Sequence, residues 1–150
     1  MAATNTLSIK REFFNAKHEA IDVDELKQGD TVIERITIGC AAPGGVKLSD
    51  LIVEDLVPAA FEPMSNGAKV FARKEKDQVN WVMRSEAHDD RVLVFSKEFS
   101  LEEGKSVFVE NLLNVVSPGE FVMPAARVEA MYAPSIWAST GTCRIKVSRK

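Results

Sequence analysis

Thr31-Val32-Ile33-Glu34-Arg35-Ile36-Thr37-Ile38 is the stretch on which the fold turns. Val32, Ile33, Ile36 and Ile38 are β-branched, and such side chains lose rotamer freedom in a helix but pack well on a pleated surface. Leu26-Lys27-Gln28-Gly29-Asp30 leads into the run and Ala42-Pro43-Gly44-Gly45 breaks it, so it reads as one strand between two turns. The same signal recurs upstream, where Leu7-Ser8-Ile9-Lys10-Arg11-Glu12-Phe13 at first alternates apolar and polar residues, as a half-buried strand does. A polar turn over Asn15 to Ala20 follows, and then Ile21-Asp22-Val23.

Downstream, Leu48 to Leu56 sets Leu51, Val53 and Asp55 on one face and Ile52, Glu54 and Leu56 on the other, with Pro58 ending the strand. The Asp89-Asp90 turn precedes Arg91-Val92-Leu93-Val94-Phe95-Ser96. A polar hairpin connection over Ser100 to Lys105 leads into a long strand from Ser106 to Val116. Ser117-Pro118-Gly119-Glu120 is a strong turn ahead of Phe121-Val122-Met123, because Pro fixes φ and Gly accepts φ > 0. Ile145 and Val147, alternating with Arg144, Lys146 and Ser148, close the chain as a strand.

Two regions are weaker. Phe61 to Asn80, with Pro63, Asn66-Gly67 and the charged run Arg73 to Asp77, predicts a long surface loop with room for a short helix. Pro124 to Thr140 reads as irregular. No amphipathic helix of ten or more residues is evident, nor any repeat, low-complexity tract or internal boundary. Short strands set off by Gly, Pro and Asn/Asp turns predict an all-β, antiparallel two-sheet sandwich forming one domain over residues 1–150.

Hydrophobic residues make up 45% and charged residues 27% of the chain, ordinary globular values that argue against wholesale disorder. A net charge of -3 gives no electrostatic reason to expect nucleic acid. No apolar run approaches the roughly 20 residues of a bilayer span. The N-terminus, Met1 to Leu7, lacks the basic segment and apolar core of a secretory signal; a domain working outside the cytosol would take its signal from a longer precursor. Cys40 and Cys143 leave two readings open, one disulfide in an oxidising compartment or two buried thiols. Neither has a Cys or His nearby at metal-ligand spacing, and His18 and His88 read as surface residues in polar turns.

Nothing singles out a catalytic constellation. Gly-x-Ser-x-Gly, the P-loop and Gly-x-Gly-x-x-Gly are all absent. Asp89-Asp90 offers carboxylates for Ca²⁺ but reads better as a turn. Glu54-Asp55 reads as a solvated face with one local hydrogen bond. The segment Val128 to Trp137 is more informative, since loop-like sequence there carries Met131, Tyr132, Ile136 and Trp137. Loops run over the surface, so these side chains either fold back onto their own sandwich or meet a partner, a use to which Tyr, Trp and Met are suited.

The motifs in series carry a resemblance. Asp55-Leu56-Val57-Pro58-Ala59-Ala60-Phe61-Glu62 resembles the D-L-L-P-A-G-F-E stretch in the last domain of bacterial α2-macroglobulins. Asp89-Asp90-Arg91-Val92 is similar to its D-D-R-V, Val115 to Phe121 to its V-T-P-G-x-F turn, and Ala130-Met131-Tyr132-Ala133-Pro134 to its A-x-x-M-Y-x-P. Phe13 to Asp30 fits its first strands. The likeness runs through nearly the whole chain in order, and the series is far more specific than any one motif. The sequence departs at Ala60, where the family often has Gly, which questions a left-handed turn there, and at Trp137, where a basic residue is expected.

The resemblance implies a macroglobulin-like sandwich, the C-terminal domain of a much larger broad-spectrum protease inhibitor. Such proteins are periplasmic protease traps, often lipoproteins anchored to the inner membrane. Cleavage of a bait region reshapes them, and a Cys-Gln thioester on a separate domain then attaches to the protease. By this resemblance the domain is no enzyme, needs no cofactor or metal, and packs on the thioester domain and other macroglobulin domains. Met131 and Tyr132 would be the lock over the thioester, with Pro134, Ile136 and Trp137 supporting the contact loop. The C-x-E-Q thioester motif is absent, so this chain would not carry the covalent chemistry itself. The competing readings are a generic immunoglobulin- or fibronectin-like interaction module of a bacterial surface protein and a small sandwich hydrolase or carbohydrate-binding enzyme, which would need a pocket with convergent polar groups.

Overall fold

A computed structural model of the chain describes residues 2–3, 6–64 and 81–150. In chain order the strands are β1 (Ala2–Ala3), β2 (Leu7–Phe14), β3 (Leu26–Lys27), β4 (Thr31–Cys40), β5 (Val46–Leu48), β6 (Leu51–Leu56), β7 (Phe61–Pro63), β8 (Val82–Ala87), β9 (Arg91–Ser96), β10 (Phe99–Leu101), β11 (Ser106–Val115), β12 (Gly119–Met123), β13 (Ala126–Ala130), β14 (Ala133–Ser139) and β15 (Cys143–Ser148), with one 3-10 turn at Val23–Glu25. A six-stranded sheet runs β1-β14-β13-β6-β9-β8 and a four-stranded sheet β2-β4-β11-β7. A three-stranded sheet, β12-β15-β3, and the β10-β5 pair complete the fold. Among the described residues every pairing is antiparallel except β15 with β3. The expected two-layer β architecture is thus present, with the smaller sheets closing its ends.

Period-two alternation builds the core. On β4, Val32, Ile36, Ile38 and Cys40 point inward and are buried; on β11, Val107, Val109, Leu113 and Val115 do the same. The facing sheet contributes Leu51 and Val53 of β6, Val92 and Val94 of β9, Ala126, Val128 and Ala130 of β13, and Ala138 of β14. Trp81, buried against Phe99 with ring centroids 5.8 Å apart, donates its indole N–H to the Phe108 carbonyl at 3.1 Å and so ties the two layers together.

Three sequence expectations are corrected here. Leu48 to Leu56 is two strands, because Asp50 takes a left-handed conformation at φ 54 and turns the chain between β5 and β6. Pro124 to Thr140 is a hairpin, β13 with β14. Its inward residues are mostly small alanines, which carry a weak hydrophobic signal and weak β-propensity. Phe61–Pro63 is an edge strand paired to β11; the surface loop expected beyond it lies, over residues 65–80, outside the described residues. Ala60 is fully buried and does not take positive φ, so no left-handed turn occurs where the family often has Gly. Cys40 and Cys143 are both free thiols, the first buried as the two-thiol reading expected and the second only half-buried.

Candidate functional site

The hairpin β13–β14 carries the residues singled out in the sequence. Its strands pair Arg127 with Ser139, Val128 with Ala138 and Glu129 with Trp137, and then the register shifts so that Ala130 faces Ala133. Met131 and Tyr132 form the two-residue turn between those alanines. The shift leaves a stretch of β14 around Pro134 and Ser135 without partners on β13, a place suited to a proline because it has no N–H for a ladder. The side chain of Pro134 lies outside the described residues.

The turn is held from behind. Ala130 pairs with Leu51 of β6, and the Met131 N–H donates to the Asp50 carbonyl at 3.0 Å. Above that anchor the side chains project into solvent, Met131 being 47% and Tyr132 82% exposed. The other named positions divide. Ile136 packs against the domain's own core. Trp137 lies on the outer face of the six-stranded sheet beneath the Arg127 guanidinium, which is 4.5 Å from its ring and also 3.3 Å from Glu129. Ile136 therefore stiffens the hairpin from within, while Trp137 and Arg127 give it an aromatic and cationic outer surface.

A second feature was missed at the sequence level. Arg11 of β2, Glu34 of β4, Asn111 of β11 and Asp55 of β6 stand at inward positions and meet in the middle of the sandwich. Arg11 Nη2 lies 3.1 Å from Asp55 Oδ1, and Arg11 Nε 3.0 Å from Glu34 Oε2. The Asn111 amide donates to Glu34 Oε1 at 3.1 Å and to Asp55 Oδ2 at 3.0 Å. Arg11 Nη1 also reaches the Pro124 carbonyl at 2.8 Å. Glu34 and Asp55 are fully buried, which corrects the reading of Glu54-Asp55 as a solvated face: Glu54 faces outward, at 2.8 Å from Arg91, and Asp55 does not. Burial above all, then the Glu34 charge and a hydrogen bond with Glu34, raise the Asp55 carboxyl well above its ordinary value, against the pull of Arg11 and Asn111. The signal was present in the sequence as polar residues at inward parity.

On the outer face of the four-stranded sheet Arg35 and Glu110 are cross-strand partners. Arg35 Nε donates to Glu110 Oε2 at 2.9 Å, and the guanidinium lies 4.8 Å and 4.5 Å from the rings of Phe14 and Phe108. His18 Nε2 stands 3.3 Å from Glu110 Oε1, so this histidine caps a buried carboxylate instead of standing free. His88 and Asp90 sit in the β8–β9 turn: His88 N–H donates to the Arg91 carbonyl, and the Asp90 carboxylate is 3.2 Å from Arg91, whose guanidinium holds it below its usual range. Among the described residues no three His, Cys, Asp or Glu side chains gather as metal ligands.

Comparison with known proteins finds relatives among bacterial alpha-2-macroglobulins. Alpha-2-macroglobulin of Escherichia coli strain K12 is 26% identical over 153 residues, covering 94% of this chain and 9% of that protein. The structure of Salmonella alpha-2-macroglobulin reacted with methylamine superposes with a TM-score of 0.78 at 24% identity, over 97% of this chain and 9% of that one. The native conformation of Escherichia coli alpha-2-macroglobulin also gives 0.78 at 24% identity, over 99% of this chain and 10% of that one. The chain thus spans about a tenth of the length of the relatives it matches. A family model, the bacterial alpha-2-macroglobulin MG10 domain, matches residues 7–135, from the first core strand through the exposed tip, and the chain belongs to that family.

Proposed function

We propose that this chain is a single, non-catalytic domain of a larger bacterial alpha-2-macroglobulin, packing on the thioester domain and covering the thioester with Met131 and Tyr132 until the bait region is cut. The observation that carries this reading is the pair of large apolar side chains held clear of the domain on a turn anchored by β6 and Asp50. Fully burying one such side chain contributes about 1.5–3 kcal/mol. Met131 is already half covered, so the pair together gains roughly 2–4 kcal/mol, no more than a dissociation constant near 1 mM corresponds to. Within one polypeptide a contact that weak is enough, since tethering raises the effective concentration of the partner. It is also weak enough to release when cleavage changes the shape of the parent.

The parent protein, in this reading, works in the periplasm, is anchored as a lipoprotein at the inner membrane, and meets its target proteases through its other domains. A Salmonella relative has been studied after reaction with methylamine, and the same small amine is a suitable probe here. The test is Met131→Ala with Tyr132→Ala in the full-length parent. Faster reaction of the thioester with methylamine supports the lock, and an unchanged rate removes it. Fractionation of cells expressing the parent tests the compartment: recovery in the cytosol would rule out the periplasmic assignment.

A further inference from the structure

Arg11, Glu34, Asn111 and Asp55 divide the interior into two apolar halves. On β2, Ile9 lies on one side of Arg11 and Phe13 on the other; on β4, Ile36 and Val32 flank Glu34 in the same way. On β11 the flanking pair is Val109 and Leu113, and on the β6 side it is Val53 and Val57. All four polar residues therefore occupy one level, and they join the four-stranded sheet to the six-stranded one where the domain has no continuous apolar core. Arg11 also holds the Pro124 carbonyl at the base of the β13–β14 hairpin.

The hydrogen-bonding inventory of this layer is unbalanced. The two carboxylates and the Asn111 carbonyl present five acceptor oxygens, while the donors are the Arg11 guanidinium and the Asn111 amide. Glu34 Oε2, Arg11 Nε and Asn111 Oδ1 lack a well-aligned hydrogen-bond partner despite being buried. Two carboxylates also face a single guanidinium, so with both ionised the layer would hold a net negative charge out of reach of water. One added proton corrects both faults: it makes the layer neutral and supplies the missing donor between two carboxyl groups that already share the Asn111 amide. Cys143, the first residue of β15, feels the charges of Arg11 and Glu34, and a thiol supplies no second cation.

We propose that Asp55 holds a proton, directed at Glu34, as a pH-sensitive clasp, joining the two sheets while it is bound and loosening them when it leaves. The sign follows from linkage. Asp55 is raised in the folded chain above its ordinary 3.8, so the folded state binds a proton that the unfolded state has lost. Stability from this site is complete below that ordinary value and is lost as pH rises toward the folded value. Across the interval the unfolding constant rises about tenfold per pH unit for this one proton.

The test compares unfolding of the 150-residue chain with that of Asp55→Asn, whose amide donates to Glu34 as the protonated acid does, between pH 5 and pH 7. The expected result is a steeper pH dependence in the wild-type chain, by up to about tenfold in the unfolding constant per pH unit, with that excess gone in Asp55→Asn. Equal slopes in the two chains would overturn the proposal. Should the variant not fold, infrared difference spectroscopy of the wild-type chain decides alone. A protonated carboxylic acid band persisting in the folded chain well above the ordinary 3.8 of Asp55 supports the clasp, and its absence there refutes it.

Discussion

Replacing Arg35 by methionine keeps an unbranched stem between Phe14 and Phe108 but removes the guanidinium that pairs with Glu110. Glu110 is fully buried, and the remaining neighbour of its carboxylate is His18 at 3.3 Å. Left without its cation, this buried carboxylate costs about 3–5 kcal/mol. Lost contact of the cation with two aromatic faces adds about 0.5–1 kcal/mol each. The Arg35 side chain is about a quarter exposed, and water reaching the site trims the total to roughly 3–5 kcal/mol. Urea unfolding of wild type, Arg35→Met, Glu110→Leu and the double variant measures this as a cycle. The double variant should recover to within about 1 kcal/mol of wild type, because no buried charge is left unpaired. A double variant no more stable than Arg35→Met would refute this account of the pair.

The tip and the core should behave oppositely in the isolated domain: Met131→Ala with Tyr132→Ala is expected to change unfolding free energy by no more than about 0.5 kcal/mol per site, and Leu51→Ala, fully buried one residue from the Asp50 anchor, to cost about 2–5 kcal/mol. Gly45→Ala should destabilise by at least roughly 1–2 kcal/mol in the same measurement, since Gly45 has φ +90 and an added Cβ would stand 2.9 Å from the Leu101 carbonyl oxygen. Thiol labelling followed by mass spectrometry should find Cys143 modified slowly in the native state, because burial raises its thiol above the ordinary 9.0 and leaves little thiolate at neutral pH. Buried Cys40 should react only on unfolding.

The strands that were easiest to read in the sequence are those whose inward face is β-branched or leucine-rich. β4 with Val32, Ile36 and Ile38, and β11 with Val107, Val109 and Leu113, show their parity without help. β13 and β14 did not, because Ala126, Ala130 and Ala138 fill the inward positions where the facing sheet already occupies the space, and alanine carries little signal in either direction. The polar layer was hidden for a different reason. Asp55 was placed on the same face as Leu51 and Val53, but single-strand reasoning treats a carboxylate as a vote for solvent. Only the convergence of Arg11, Glu34 and Asn111 from three other strands makes its burial tolerable, and pairings between residues 23 to 77 positions apart are invisible to local pattern. His18 followed the same logic: its polar turn reads as surface, yet φ 61 turns it back onto Glu110.

Met131 and Tyr132 pose the converse problem, a pair of residues the fold does not need. Two-residue hairpin turns usually demand Asn or Gly because their central residues take positive φ. Neither Met131 nor Tyr132 does so, so the register shift beside them leaves a backbone that any L-residue can adopt. Nor does packing call for large apolar groups, since the last buried residue of β13 is Ala130 and both side chains beyond it reach solvent. Exposing methionine and tyrosine on a rigid turn works against solubility and gains nothing for the sandwich, whereas a serine or asparagine would serve the chain equally well. Under the proposed function, the identity of these two residues is set by what meets the tip. The Asp50 carbonyl and the Leu51 pairing beneath them give a stiff mount, so little ordering entropy is lost on contact, and that is the arrangement a small, reversible cover over a neighbouring domain requires.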